Sequence, residues 1–275
     1  MKEYMSSIHH LIRLWIILMV IFFQGPNWSW AQENERLPIK SNHLGINVNS
    51  GLVSYREDMV VPLGFHGIEF SLGAVYSRQT EKSYLNASAR FGVGYMQNRY
   101  DHQAFIVAQE IRSSWLRKVS IPERYGEFWG GICLPLQMNN LLWSSWDDAH
   151  LYWLTAYGMG LAVQWQKNIS SNKQVLVRME IPVANWVSRP PEVRYRKQEP
   201  MDRLAYQYSE PNKSLYFETL DTYQALFFQA LLRKEVKRSK LNLGIEFQYS
   251  HFSKPEDIWG LTTLLIFSYQ WGIGS

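Results

Sequence analysis

The sequence predicts an all-β protein: a single antiparallel transmembrane β-barrel of about ten strands, with eight or twelve as the alternatives, preceded by a signal peptide. Three observations carry this. Past residue 42 the hydrophobic pattern repeats every second residue rather than every 3.6. The alternating stretches run nine to eleven residues, the length of a tilted membrane strand and well beyond the five or six of an average soluble strand. Aromatic residues gather near the ends of those stretches, at Tyr76, Tyr95, Trp153, Trp165, Trp186, Tyr249 and Trp271, as interfacial girdles do.

Composition narrows the field in the same direction. The chain has 275 residues, 46% hydrophobic and 19% charged, with 12 Trp, 16 Tyr and 13 Phe. That aromatic content excludes disorder, because so much apolar surface is not left in water. Mean hydropathy is −0.26 and no long apolar run lies past residue 23, which excludes a bundle of membrane helices. Cys133 is the single cysteine, so no intrachain disulfide can staple the fold.

The first element is the export signal. Lys2 and Arg13 precede an unbroken apolar stretch, residues 14–23, which ends at Gln24-Gly25-Pro26. Ser29-Trp30-Ala31 follows, with small residues at the −3 and −1 positions of a cut after Ala31. Residues 1–31 are thus expected to be removed, residues 32–42 to form a short periplasmic lead-in, and residues 43–275 to form the barrel. Loss of Lys2, Glu3 and Arg13 takes the net charge from +4 to +3, too mild to suggest nucleic acid.

The strands follow in order. Residues 44–54 are compatible with a first strand. Residues 68–76 set Ile68, Phe70, Leu72, Ala74 and Tyr76 against Glu69, Ser71 and Gly73. Residues 85–95 set Leu85, Ala87, Ala89, Phe91, Val93 and Tyr95 against Asn86, Ser88, Arg90, Gly92 and Gly94. Segments 102–116, 127–138 and 151–166 alternate less regularly. Residues 175–183 place Val175, Val177, Met179, Ile181 and Val183 opposite Arg178 and Glu180. After a less regular segment at 222–235, residues 241–251 alternate without a break, Leu241, Leu243, Ile245, Phe247 and Tyr249 against Asn242, Gly244, Glu246, Gln248 and Ser250. Residues 265–273 close the set with Leu265, Phe267, Tyr269 and Trp271 on one face. Turns are expected near 78–84, 117–126, 167–174 and 235–240 on the periplasmic side. Loops are expected near 55–66, 97–102, 139–150, 187–217 and 252–260 outside, where barrels place their longer connections. A soluble secreted β-sandwich also alternates and is the competing architecture.

With this pattern on the page, the chain resembles bacterial outer-membrane β-barrel proteins of Gram-negative cells over nearly all of 43–275. The resemblance implies an outer-membrane location, contact with outer-membrane lipids and lipopolysaccharide, and insertion by the barrel-assembly machinery. Phe267, Tyr269 and Trp271 fit the aromatic final strand that such chains carry. It also implies a structural, surface-exposed or narrow solute-passage role without chemistry. Ten strands make an interior only slightly wider than the eight-strand case that side chains fill. Oligomeric state is left open.

Candidate sites follow from strand parity. Glu69, Arg90, Arg178, Glu180 and Glu246 fall on the inward rows, either as paired charges that brace a narrow barrel or as a selectivity ring for a small polar solute. Arg189, Arg194, Arg196 and Lys197 lie in the long loop 187–217, where guanidinium groups suit lipopolysaccharide phosphates. His251-Phe252-Ser253 puts an imidazole and a hydroxyl two residues apart on one strand face, with Glu256 or Asp257 at hand to orient the histidine. This triplet resembles the His-x-Ser motif of the lipid A deacylase family, which would make His251 the base and Ser253 the nucleophile of an acyl hydrolase; Lys254 stands where that family usually carries Asn. The run 233–240 reads as a solvated basic turn. Gly158-Met159-Gly160 lies inside a strand and opens no helix, so it is not a nucleotide loop. The histidines show no metal spacing, and no cofactor is expected.

Overall fold

The computed structural model describes residues 41–58, 61–143, 150–189, 215–254 and 257–273; the expected signal peptide lies outside them. Eleven strands follow one another: β1 (Ser41–Glu57), β2 (Val61–Gln79), β3 (Ser83–Gln97), β4 (Gln103–Val119), β5 (Glu127–Trp143), β6 (His150–Ser170), β7 (Lys173–Ser188), β8 (Leu215–Thr219), β9 (Tyr223–Val236), β10 (Ser239–Phe252) and β11 (Ile258–Gly272). Each pairs antiparallel with its neighbours, and β1 pairs with β11 from His43 opposite Gly272 to Glu57 opposite Ile258. That last pairing closes the sheet into a barrel and removes its free edges.

Ten strands make the wall, and they are the ten segments the alternation marks. The eleventh, β8, is a five-residue piece. Along β7, residues 173–180 pair with β9 while 184–188 pair with β8. The short strand therefore fills the gap that opens between β7 and β9 at one end. Its sequence Leu-Tyr-Phe-Glu-Thr is too short for periodicity to register. The strands are also longer than the sequence segments, 14 to 21 residues for the ten, because their polar ends continue the pairing beyond the apolar belt.

The connections sort onto two ends. One end carries the start of β1, the end of β11 and the short turns; we call it the terminal end. There Thr80 and Ser83 cross-bond through backbone and hydroxyls at 2.8 Å, and Lys237 takes a positive φ of 55° in the two-residue turn joining β9 to β10. Gly126, with φ of 92°, turns the chain into β5 where a side chain would collide with the Trp165 indole. Apart from the β4–β5 connection (120–126) at the terminal end, the longer connections lie at the opposite, loop end. Of these, the β3–β4 turn is fixed by Asn98, whose Oδ1 accepts from the Tyr100 and His102 amides. In the β8–β9 turn the Thr219 hydroxyl donates to Asp221 and holds that carboxyl below its usual range.

Pro135 on β5 and Pro182 on β7 sit on either side of Gly158-Met159-Gly160 on β6. The β5–β6 register skips there, and β6–β7 carries a bulge at Met159/Gly160. Proline cannot donate to a ladder, so the irregular stretch of β6 absorbs two missing donors. A side chain at Gly158 would meet the Ala184 carbonyl and the Asn185 amide oxygen.

The period-two pattern sets which face is apolar. Phe70, Leu72, Phe91, Val93, Ile132 and Leu134 are about half exposed or more on the outer wall, and Leu161 reaches 63%. Scattered apolar residues are ordinary on a soluble surface; a belt of Leu, Ile, Val and Phe around the wall is not. Among the described residues no helix is long and apolar enough to cross a membrane. One girdle expectation fails: Trp153 is 1% exposed, and its indole nitrogen approaches the Ser188 hydroxyl at 3.4 Å. It lies in the stretch 153–156 near the loop end of β6, where both alternating faces are covered.

Candidate functional site in the barrel lumen

The inward rows build three zones along the barrel. The loop half is apolar. Val53 and Tyr55 from β1, Phe65 from β2, Ile106 from β4, Leu141 from β5, Tyr223 and Phe227 from β9 and Phe252 from β10 pack into one buried cluster. Tyr223 and Phe252 meet edge to face at 6.3 Å. A void of about 10 Å³ near Tyr55 and Ser250 is one water's worth. This half of the lumen is a plug.

Beneath the plug lies a layer of charge. Glu69 on β2, Arg90 on β3, Arg178 and Glu180 on β7 and Glu246 on β10 all face inward and are buried, and Glu110 and Arg112 on β4 join them. Arg90 contacts Glu110 at 2.9 Å, Glu69 at 3.5 Å and Glu246 at 3.9 Å. Arg112 binds Glu246 at 2.7 Å and also pairs with Glu110. Gln248 donates to Glu110 at 2.8 Å and to Glu246 at 2.6 Å, and Gln229 donates to Glu246 at 3.0 Å. Arg178 pairs with Glu180 and donates to the Ser114 hydroxyl. Each carboxylate therefore has a guanidinium in contact, which is what lets seven charges lie buried together. Sequence reading missed Glu110 and Arg112. Their signal was present, since Ala108, Glu110, Arg112 and Ser114 share one parity, but Gln109 and Ser113 on the outer row blurred the alternation.

The terminal half is mixed, with a polar cavity between two small apolar clusters, one of Tyr84, Leu116, Trp129, Cys133 and Ala162 and one of Leu176, Leu231 and Ile266. A cavity of about 60 Å³ is lined by Asn47, Asn49, Gln164, Arg233, Asn242 and Gln270, among others, with the arginines of the charged layer as its roof. At about 10–15 Å³ per water, that is room for roughly four to six waters. Arg233 and Lys240 are 3% and 6% exposed. This corrects the expectation of a solvated basic turn at 233–240: both ends of that run face inward on paired strands, and only 237–238 lie outside the pairing. Cys133 is buried on the inward row, its Sγ 3.5 Å from the Leu161 carbonyl.

The other candidates lie at the loop end. His251 Nε2 stands 3.2 Å from Asp257 Oδ1. Ser253 is not hydrogen-bonded to that imidazole; its hydroxyl approaches the Thr222 carbonyl at 3.4 Å. Glu256 lies outside the described residues. Arg189 is 2% exposed and donates to the Lys254 carbonyl at 2.7 Å, so its guanidinium is directed into the protein rather than to the surface. Arg194, Arg196 and Lys197 lie outside the described residues. Among the described residues no group of three or more His, Cys, Asp or Glu is placed to hold a metal ion.

No protein-family profile matches the sequence, and no curated protein matches it. Solved structures do match in shape. The outer membrane protease OmpT from Escherichia coli covers 85% of this chain and 96% of its own length at 6% identity, with a TM-score of 0.47. The translocator domain of the autotransporter NalP from Neisseria meningitidis covers 96% and 97% at 8% identity, with a TM-score of 0.41. An outer membrane channel from Pseudomonas putida F1 covers 88% and 99% at 7% identity, with a TM-score of 0.34. At these identities and scores the likeness does not extend to side chains or sites.

Proposed function

We propose that this chain is an integral outer-membrane β-barrel with a structural or surface-exposed role, its lumen closed by its own side chains. The observation that carries this is the division of the wall: Leu, Ile, Val and Phe outside, and charges, amides and a packed plug inside. A sheet closed on itself satisfies its backbone within the strands, the condition for crossing lipid. Leaving such a belt in water costs about 1.5–3 kcal/mol for each large apolar side chain relative to burial, and lipid removes that cost. A soluble sandwich would bury its apolar rows in a shared core and leave Arg90, Arg178 and Glu246 to solvent; here the two faces are exchanged.

Solute passage through this lumen requires the plug around Tyr55, Phe65, Tyr223 and Phe252 to part. Refolding into detergent and planar bilayers tests the role. The folded barrel, recognised by a change of electrophoretic mobility on heating, should show no sustained conductance. Trimming the plug with Tyr55→Ala and Phe252→Ala together should raise it. Steady conductance steps from the unaltered protein would instead make it a channel.

The acyl-hydrolase alternative retains one supporting contact, His251 to Asp257, which is how a base would be oriented. The assay is mass spectrometry of lipid A incubated with the refolded protein and with Ser253→Ala. Loss of an acyl chain with the first and not the second would establish the hydrolase.

A further inference from the structure

Taking the chain as the membrane barrel proposed above, we propose that the terminal end of its outer wall carries a cationic belt that binds anionic phospholipid headgroups, phosphatidylglycerol among them. The lipid-facing rows end there in basic residues. On β2 the outward row runs Phe70, Leu72, Ala74, Tyr76 and then Arg78. On β4 it runs Ile111, Ser113, Trp115 and then Arg117, and on β6 Leu161, Val163, Trp165 and then Lys167. Each cation follows an aromatic ring by two residues, about 7 Å along the strand. Such rings settle at the boundary between acyl chains and headgroups, which puts the cation at the depth of the lipid phosphates, its stem lying along the wall. Arg78, Arg117 and Lys167 are exposed and form no ion pair among the described residues. The Arg117 guanidinium lies over the Trp115 ring, 5.3 Å from its centre. Lys173 and Lys234, also on outward rows, stand directly opposite one another across β7 and β9. Like charges facing across a strand pair repel, and a phosphate between them turns repulsion into attraction.

The surroundings select the headgroup. The carboxylates of this end lie off the cationic rows: Glu81 and Glu123 are in connections, Glu127 pairs with Lys118 at 2.6 Å, and Glu235 shares the inward row of Arg233. A choline or ethanolamine ammonium finds no carboxylate beside the belt, whereas a headgroup of net negative charge needs none. The wall is also low here. Two-residue turns close β6–β7 and β9–β10 within three residues of Lys167 and Lys234. The protein therefore ends at the depth of a phospholipid headgroup and does not rise into the saccharide layer of a glycolipid. At the loop end the rows of Arg78, Arg117 and Lys234 finish in His66, Gln103 and Gln224, and Arg56 is already bound to Asp58 at 2.5 Å. The belt is one-sided, and each cation near an anionic surface adds to the attraction.

Electron spin resonance of spin-labelled lipids tests this on the barrel folded in phosphatidylcholine vesicles. Acyl-chain labels on phosphatidylcholine report the lipids slowed against the wall, and the same label on phosphatidylglycerol reports preference. Phosphatidylglycerol should associate at least about twofold more strongly. Sodium chloride at about 1 M, which screens charges beyond roughly 3 Å, should remove the difference. The variant Arg78→Gln/Arg117→Gln/Lys167→Gln, shown folded by heat-modified mobility, should lose most of the preference while its phosphatidylcholine signal stays unchanged. Arg56→Gln/Arg99→Gln, at the loop end, should keep it. Slowed lipid without preference for phosphatidylglycerol, a preference insensitive to salt, or one that the folded triple variant retains overturns the belt and leaves the membrane barrel standing. No slowed lipid of either kind overturns the membrane barrel and the belt together. If the triple variant does not fold, the salt comparison on the unaltered protein decides.

Discussion

The two halves of this lumen are built from the same ten strands and solve the same problem in opposite ways. In the loop half the inward positions are Tyr, Phe, Leu and Ile, and they interlock until about 10 Å³ remains. In the terminal half Asn, Gln, Ser and basic residues share the inward rows with two smaller apolar clusters, around Trp129 and around Leu176, and about 60 Å³ stays open. Apolar side chains fill a narrow barrel because close contact is their only source of stabilisation. Amides and guanidinium groups need directed partners, and where the strands do not supply them, space is left for water or an ion. The charged layer between the halves seals one from the other.

The largest effect should come from the layer that separates them. Glu246 meets Arg90, Arg112, Gln229 and Gln248. Glu246→Ala removes the carboxylate that Arg112 and Arg90 share and the acceptor of the Gln229 amide, and should cost about 3–5 kcal/mol in denaturant unfolding of the folded barrel. A loss below 1 kcal/mol would mean that water already bridges the layer and that the halves are not sealed.

A cavity cut in the plug should cost somewhat less. Leu141 is fully buried in the apolar cluster, and Leu141→Ala should destabilise the barrel by about 2–5 kcal/mol, depending on how far its neighbours relax. The matching change below should do the least. Gln164 has both side-chain polar atoms buried without a partner, so Gln164→Leu removes an unsatisfied amide and should shift stability by less than about 1 kcal/mol, in either direction. If the two substitutions cost the same, the contrast between a packed and a hollow half is wrong.

How much of this was legible in the sequence divides along the same lines. The wall was legible, because lipid on one side and protein on the other impose strict alternation, as in 68–76 and 241–251. The unexpected strand β8 is a five-residue filler at the rim, where neither face meets a uniform solvent. The zoning was not legible. Parity places Tyr55, Glu246 and Arg233 inward alike, but their axial level depends on strand stagger, which only the register reveals. Arg233 and Lys240 illustrate the point: in sequence they bracket a basic run with a turn in it, and only the pairing of Val236 with Ser239 shows that the run's ends belong to strands. The rim pair His251 and Ser253 was visible as a motif, but their spacing could not say that the serine hydroxyl would find the Thr222 carbonyl instead of the imidazole.

The central claim is that the apolar rows face lipid and the polar rows face a closed interior. Site-directed spin labelling along β6 tests it most directly. In a Cys133→Ser background refolded into phospholipid vesicles, single cysteines from 159 to 164 carry the label, and collisions with oxygen and with a water-soluble nickel complex are compared. The expected result alternates at period two. Labels at Leu161 and Val163 should collide with oxygen and not with nickel, while labels at Ala162 and Gln164 should be shielded from oxygen. Nickel accessibility at Leu161 equal to that of an aqueous loop, or no alternation across the six positions, would contradict a lipid-facing wall.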